Sequence, residues 1–204
     1  MKNIVLFLVL AGVMFAGCTS KTTYIDTAND EGKVVMGLDY RDFDMAASQM
    51  LQSLFASGAL NKKEGGRYVV TTGRVVNDTM QRIDTDQLMA KIEEEMLNSG
   101  QVVMTSAVGG DGPSDDMVYK VREIRDSQVS DEFKDETLVA KKQLIAPELS
   151  MSGKIIQRNI KYDKGNQQVE YYFQLQLTDL ASGLRFWQKE SLIGKRGSNK
   201  SVAW

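Results

Sequence analysis

The chain has 204 residues, of which 42% are hydrophobic and 25% are charged, and its formal net charge is -2. These values are ordinary for a globular domain with a sizeable core, and the slightly negative charge gives no support to nucleic-acid binding. The sequence contains no histidine and a single cysteine, Cys18. It therefore excludes an internal disulfide, Ser-His-Asp and Cys-His catalysis, and any zinc site that uses histidine.

The N-terminal residues have the layout of a bacterial lipoprotein signal peptide. Lys2 is followed by an apolar run, and the small residues Ala16 and Gly17 come directly before Cys18. The positive charge orients insertion, the run is too short for a stable membrane span, and the small residues leave room for processing enzymes. We expect the Cys18 thiol to receive a diacylglyceryl group, with palmitate as the label of acylation. The alternatives are an ordinary secretory signal with an incidental cysteine and an N-terminal membrane anchor.

This interpretation divides the chain into three segments. They are a signal peptide at 1–17, a lipidated tether at 18–32 and a single globular α/β domain at 33–204. The tether is small and polar without periodicity, and its roughly 14 free residues reach about 50 Å fully extended or about 20 Å as a flexible coil. Thr19, rather than aspartate, follows the cysteine, so enterobacterial-type sorting rules predict the outer membrane.

The first half of the domain alternates predicted strands and helices. Phe43, Met50 and Leu54 recur at helical spacing, whereas the following segment is rich in β-branched residues that favour a strand. The predicted elements of this half are a strand at 34–38, a helix that Asp42 caps and Gly58 ends, a strand at 68–76, a helix at 85–97 and a strand at 101–104.

A loop rich in glycine, serine and aspartate then leads into two predicted helices. Val118, Val121 and Ile124 lie at helical spacing and predict the first of them. The second is expected over residues 134–144, ended by Pro147.

The final third predicts three antiparallel strands, at 149–160, 169–179 and 184–192, joined by two short polar turns. Along the middle strand apolar side chains alternate with mostly polar ones, so one face of the sheet is expected to be buried. The residues expected on that face are Tyr171, Phe173, Leu175 and Leu177. Together the elements predict the α/β class, with a mixed sheet flanked by helices and a C-terminal antiparallel meander.

Three acidic clusters could suggest a metal or catalytic site, and each has a simpler explanation. Asp84 and Asp86 are typical of a helix start, with Asp84 as the cap and Gln87 at the reciprocal position. Residues 93–95 fall on a solvated helix face, and Asp115-Asp116 stand where negative charge stabilises a helix start. We therefore predict no catalytic residue, cofactor, metal site or small-molecule substrate.

Stretches spread over nearly the whole domain share the pattern of one family. These are residues 40–54, residues 75–79 leading into the Asp84 helix and Gly100, and residues 174–177 followed by Ser182-Gly183 and Trp187. In this order, over residues 33–195, the chain resembles the LpoB family of lipoproteins that activate penicillin-binding proteins.

The resemblance implies a sheet flanked by helices, similar to the N-terminal domain of TolB, in an outer-membrane lipoprotein that faces the periplasm. It also implies a partner, a bifunctional class A penicillin-binding protein, whose peptidoglycan synthesis the lipoprotein stimulates without catalysis of its own. The alternative is a lipoprotein of envelope assembly or secretion, of the curli- or flagellum-associated type.

Two features of the chain bear on how such a partner is reached. The enterobacterial member of the family has a long proline-rich linker, whereas the two prolines of this chain, Pro113 and Pro147, lie outside the tether. No short motif transfers docking residues from the family. Tyr172, on the otherwise polar sheet face, and Trp204, in a polar tail, are weak contact candidates.

Replacing the cysteine tests the lipoprotein assignment directly. We expect Cys18→Ala to leave an unacylated precursor or to release the protein into the periplasm, because the acceptor thiol is gone. Metabolic labelling with palmitate, compared with the wild-type chain, measures the acylation. A variant that still carries the label would contradict the assignment.

Overall fold

The computed structural model of the chain describes residues 22–27, 29, 32–109 and 115–201. The described residues fall into two units, which divide after Val34. The described residues of the first unit are exposed and belong to no helix or strand. Among all the described residues, no helix has the length and apolar character needed to cross a membrane. The predicted signal peptide and Cys18 lie outside the described residues.

A five-stranded mixed sheet organises the second unit. Its strands are β1 (Tyr68–Asp78), β2 (Val102–Met104), β3 (Leu149–Lys161), β4 (Asn166–Asp179) and β5 (Arg185–Ser198). They lie in the order β2-β1-β3-β4-β5. Strand β1 lies between β2 and β3 and pairs in parallel with both, whereas β3, β4 and β5 form an antiparallel meander. The predicted fold class and the three C-terminal strands are confirmed.

Two long helices cover one face of this sheet. They are α1 (Tyr40–Ala56) and α2 (Thr85–Asn98), and both bury one stripe of apolar residues. The segment between β2 and β3 contains a short helix, α3 (Met117–Arg125), which buries none of its residues, and two 3-10 turns, Gln128–Glu132 and Asp135–Thr137.

The core lies between the helices and the inward face of the meander. Along β4 the expected alternation is present, because Phe173 and Leu175 are buried while Tyr172 and Gln174 are only partly covered. The ring of Phe43 from α1 meets the ring of Phe173 edge-on, with centroids 5.8 Å apart, an arrangement that favours aromatic packing. The prediction of which sheet face is buried is confirmed.

The strand predicted at residues 34–38 is wrong. These residues form an irregular segment whose backbone groups bond to side chains instead of to a neighbouring strand. The Tyr171 hydroxyl donates to the Met36 carbonyl at 2.9 Å, and the Leu38 N–H donates to Oε1 of Gln81 at 3.0 Å. Because buried backbone groups need partners of some kind, side chains can replace a strand ladder here.

The helix predicted at 134–144 is also wrong. Only the 3-10 turn Asp135–Thr137 forms there, and the chain then runs irregularly toward β3. Leu144, the last residue of the predicted helix, is 43% exposed, and the next residue, Ile145, is 70% exposed. A helix gains most of its stability by burying one face, and this segment has no face to bury.

The prediction that Asp42 is the N-cap of α1 is wrong, because the helix begins three residues earlier, after Asp39. Asp39 is the N-cap, and its side chain accepts a hydrogen bond from the Arg41 N–H. Asp42 occupies the reciprocal position, where its carboxylate accepts from the Asp39 N–H at 2.8 Å. The N-terminus of the helix is thus capped by a capping box of Asp39 and Asp42 rather than by Asp42 alone.

Asp42 also forms a buried ion pair with Lys195, near the C-terminal end of β5. Its Oδ2 lies 2.5 Å from Nζ of Lys195 on β5, and both side chains are less than a tenth exposed. The same ammonium donates to the Gly37 carbonyl at 2.7 Å. One lysine therefore joins the end of β5, the start of α1 and the irregular entry segment.

Removing one member of this pair should destabilise the domain strongly. We expect Asp42→Ala to lower the free energy of unfolding by about 3–5 kcal/mol, because it leaves a buried ammonium without a counter-charge. The double variant Asp42→Ala/Lys195→Met should recover most of that loss. Denaturant unfolding measures both.

The exposed pair Lys154–Asp78, at 2.6 Å, is the matched control. Asp78→Ala should cost less than about 1 kcal/mol, since solvent screens exposed pairs. Equal losses for Asp42→Ala and Asp78→Ala would show that burial of the first pair carries no special weight.

Candidate interaction surfaces

The acidic clusters of the sequence serve the helices on which they lie. Asp84 caps α2 by accepting from the Asp86 N–H at 3.0 Å, and Asp115 accepts from the Met117 N–H at 2.9 Å. Glu95 accepts a hydrogen bond from the Ser48 hydroxyl and so links α2 to α1. Within the described ranges, no three acidic or thiol groups come together as a metal site.

The helix-free face of the meander is the first extended surface open to a partner. Here Ile156, Tyr172 and Leu192 face one another across β3, β4 and β5, and Leu192 is 54% exposed. The Tyr172 hydroxyl donates to Glu170 at 2.6 Å. This bond raises the pKa of Tyr172 and lowers the pKa of Glu170. We call the row of three apolar residues the open-face row.

Neighbouring polar side chains on this face are paired with one another. The Gln174 amide donates to Glu190 at 2.7 Å, and the Gln176 amide donates to the Ser152 hydroxyl at 3.1 Å. Such cross-strand pairs stabilise the sheet itself. The open-face row is therefore a narrow apolar strip beside cross-strand pairs of polar residues.

A cleft of about 680 Å³ opens at the opposite end of the sheet from the β3–β4 turn. We call it the distal cleft. Its walls come from the loop after α1, the residue before β3 and the β4–β5 turn. The lining residues are Gly58, Ala59, Asn61, Lys63, Glu64, Tyr68, Glu148, Asp179, Arg185 and Phe186. Its volume is in the range of pockets that hold small molecules or the side chains of a partner.

One ion pair fixes the wall of the distal cleft. Nζ of Lys62 lies 2.5 Å from Glu148 and 5.4 Å from the ring centroid of Tyr68. The second carboxylate oxygen of Glu148 accepts from the Val69 N–H at 3.1 Å. The hydrogen bond from Lys62 and the one from the Val69 backbone together hold the pKa of Glu148 below its usual value.

The β4–β5 turn beside the distal cleft carries large exposed apolar side chains. Leu180, Leu184 and Phe186 are 47%, 63% and 43% exposed. The turn that carries them is well fixed, because the Asp179 carboxylate accepts from both the hydroxyl and the N–H of Ser182, which lowers the pKa of Asp179. A fixed cluster of exposed apolar residues is typical of a protein–protein contact surface. We call these three residues the distal cluster.

The sequence family provides the identification. A family model described as the peptidoglycan-synthase activator LpoB matches residues 42–193 of the chain. The chain belongs to the LpoB family. The recognition made from the sequence is confirmed, and the family is one of activators rather than of catalytic enzymes.

Solved structures similar to the chain include members of the same family. The LpoB C-terminal domain from Escherichia coli is 12% identical, with 74% of this chain and 98% of that chain covered and a TM-score of 0.41. The Salmonella enterica domain is 9% identical, with the same coverages and a TM-score of 0.42. Lipoprotein GNA1162 from Neisseria meningitidis is 10% identical, with 66% and 86% covered and a TM-score of 0.33. No curated protein sequence matches the chain.

The predicted site residues and the observed surfaces overlap little. Cys18 and Trp204 lie outside the described residues, and Tyr172 is a half-buried member of the open-face row. The distal cleft was not predicted, because its walls come from segments far apart in the sequence. The exposed Leu180 and Leu184 around a polar turn were the only local signal for it.

The Lys62–Glu148 pair gives the distal cleft a pH dependence. Because the folded pKa of Glu148 is lowered, its stabilising effect is present above the normal pKa and is lost as the pH falls through the folded value. We expect the free energy of unfolding of Glu148→Gln to vary less than that of the wild type between roughly pH 5 and pH 3. At neutral pH the two should differ by about 1 kcal/mol or less.

Denaturant unfolding across this pH range measures the difference. Glu64→Gln is the control, since Glu64 lines the same cleft without a described ion pair. The same flattening in Glu64→Gln would show that the effect comes from net charge rather than from the pair.

Proposed function

We propose that the chain is a lipoprotein, acylated at Cys18, that binds and stimulates a bifunctional class A penicillin-binding protein from the outer membrane. The match of the LpoB family model over residues 42–193 is the observation that carries this proposal. The domain acts as an allosteric partner, so it needs neither a cofactor nor catalytic residues of its own. Its contribution is the free energy of binding to the active form of the synthase.

The distal cleft and the distal cluster form the better docking surface of the two described above. A docking surface gains most of its affinity from a few large anchors that insert into pockets. The distal end offers both parts, since Phe186 lines the cleft and the exposed Leu180 and Leu184 lie in the turn between its lining residues Asp179 and Arg185. Beside the open-face row there is only a small cavity of about 130 Å³, lined in part by Gln174 and Gln176. These two amide side chains already donate to Glu190 and Ser152.

The position of the distal cleft also extends the reach of a short tether. Strands β3 and β4 have 13 and 14 residues, so the sheet is roughly 40 Å long. The proposed anchor leads to one end of these strands and the cleft lies at the other. The length of the sheet therefore adds to the reach of the tether, and an inner-membrane synthase extends across the remaining gap.

The decisive assay is synthase turnover. A soluble chain that begins at Thr19 should bind the organism's own class A synthase and raise its glycosyltransferase rate. Rates with and without the soluble chain, together with a binding measurement, test this. Absence of both binding and stimulation across the class A synthases would overturn the proposal and favour the assembly or secretion role.

Two variants on the same strand distinguish the docking surfaces. Phe186→Ala removes an exposed anchor of the distal cleft, whereas Leu192→Ala removes a similarly exposed residue of the open-face row. We expect Phe186→Ala to weaken binding about 10-fold or more, as for an interface anchor, and Leu192→Ala to leave it within about twofold. The reverse result would place the synthase on the open face.

A further inference from the structure

The end of the sheet where β3 turns into β4 carries a concentration of positive charge. Exposed basic residues cluster on this turn, on the adjoining strand ends and on the facing end of β5; they are Arg158, Lys161, Lys164, Arg196 and Lys200. The acidic residues of the same stretches are Asp163 and Glu170, which leaves an excess of three positive charges. We call this region, residues 158–170 and 196–201, the basic tip.

Both acidic groups of the basic tip are occupied by local hydrogen bonds. The Asp163 carboxylate accepts from the Asn166 side chain and from the backbone N–H groups of Gly165 and Asn166, the last two at 2.7 Å. Glu170 accepts from Tyr172 at 2.6 Å and from the Gln168 amide at 2.8 Å. In the described part of the chain, no ion pair involves the ammonium groups of the three lysines of the tip. Their charge is therefore open to an external anion.

The basic tip also contains an exposed aromatic ring. Tyr162 is 53% exposed, and the guanidinium carbon of Arg196 lies 3.7 Å from the centroid of its ring. The same guanidinium donates to Gln168 at 2.7 Å, which fixes its position. Tyrosine and arginine side chains, each with an apolar body and a polar end, are favoured at the boundary between a membrane and water.

The chain enters the second unit beside the basic tip. The Met36 carbonyl is held by the Tyr171 hydroxyl, and the Met36 side chain packs so closely on Gly197 that a Cβ there would lie 2.7 Å from its sulfur. The Gly37 carbonyl is held by Lys195. The residues that continue from the tether are thus fixed at the end of the sheet that carries the excess positive charge.

We propose that the basic tip binds the anionic phospholipid surface of the membrane that holds the Cys18 anchor. This inference rests on the lipidation in the proposed function. Each basic residue near an anionic leaflet strengthens attachment several-fold, and a polybasic patch is the usual second signal beside a lipid chain. The short tether keeps the tip at a high effective concentration near that surface. With the tip on the membrane, the distal cleft points away from it, toward the cell wall.

Vesicle binding by the soluble chain tests the tip without the lipid anchor. Residues 35–204 form a compact unit with its own core, so a chain that begins at Thr19 keeps this unit whole. We expect it to sediment at low salt with phosphatidylcholine vesicles that contain phosphatidylglycerol, but not with phosphatidylcholine alone. Raised salt should release it, because exposed charges are screened.

Charge reversal locates the contact. Lys161→Glu/Lys164→Glu should weaken binding to the anionic vesicles about 10-fold or more, while Lys161→Arg/Lys164→Arg should bind like the wild type. The matched control is Lys63→Glu/Lys120→Glu, which makes the same change in net charge at exposed positions outside the tip. We expect its binding to stay within about threefold of the wild type, since neither lysine belongs to the basic tip.

Three results would overturn the proposal. The wild type could fail to bind anionic vesicles at low salt, or the control could lose as much binding as the tip variant. Purified peptidoglycan, rather than vesicles, could retain the wild type through Lys161 and Lys164, which would assign the tip to cell-wall carboxylates. The synthase assay uses no vesicles. A failure to bind vesicles therefore leaves the proposed activation untouched, and a failure to stimulate the synthase leaves the vesicle result valid.

Discussion

The buried contact between Lys195 and Asp42 is the constraint on which the arrangement of the domain depends. A charge that is removed from water needs an opposite charge beside it. The end of β5 and the first turn of α1 therefore cannot shift relative to each other without separating the ammonium from its carboxylate. The same ammonium holds the carbonyl of Gly37. A single side chain thus sets three features of the domain. These are the point at which the chain enters, the position of α1 on the sheet and the strand end that lies beside the entry point.

That placement gives the two ends of the sheet different chemistry. The end near the entry point carries the basic tip, and the other end carries the distal cleft with its exposed apolar cluster. The two proposed contacts, with a membrane and with a synthase, require these properties at opposite ends. The long antiparallel strands of the meander provide the separation, because their backbone pairing continues along almost their full length.

Much of this fold follows from local patterns in the sequence. The alternation of apolar and polar residues along β4 identifies the buried face, and the helical spacing in α1 and α2 identifies their inward stripes. The patterns fail where tertiary contacts, rather than neighbours in the sequence, decide whether a segment forms a helix or a strand. Residues 34–38 have strand-forming side chains, yet Tyr171 and Gln81 bond to the backbone of Met36 and Leu38 in place of a neighbouring strand. The segment after Asp135 forms no α-helix because it buries no continuous apolar face. The distal cleft depends on strand order, which no local pattern contains.

The position of β1 in the sheet has a consequence for the order of folding. The meander joins neighbours in sequence, so β3, β4 and β5 can pair through short turns. Strand β1 instead pairs with β3 across a crossover that includes α2, β2 and α3, and such distant pairing is slow because a long loop must close first. We therefore expect the meander to pair first and the half of the sheet that is synthesised first to be completed last. A newly made chain exposes the edges of β1 and β2 until the C-terminal third has folded. Loss of that third is therefore expected to damage the whole domain most.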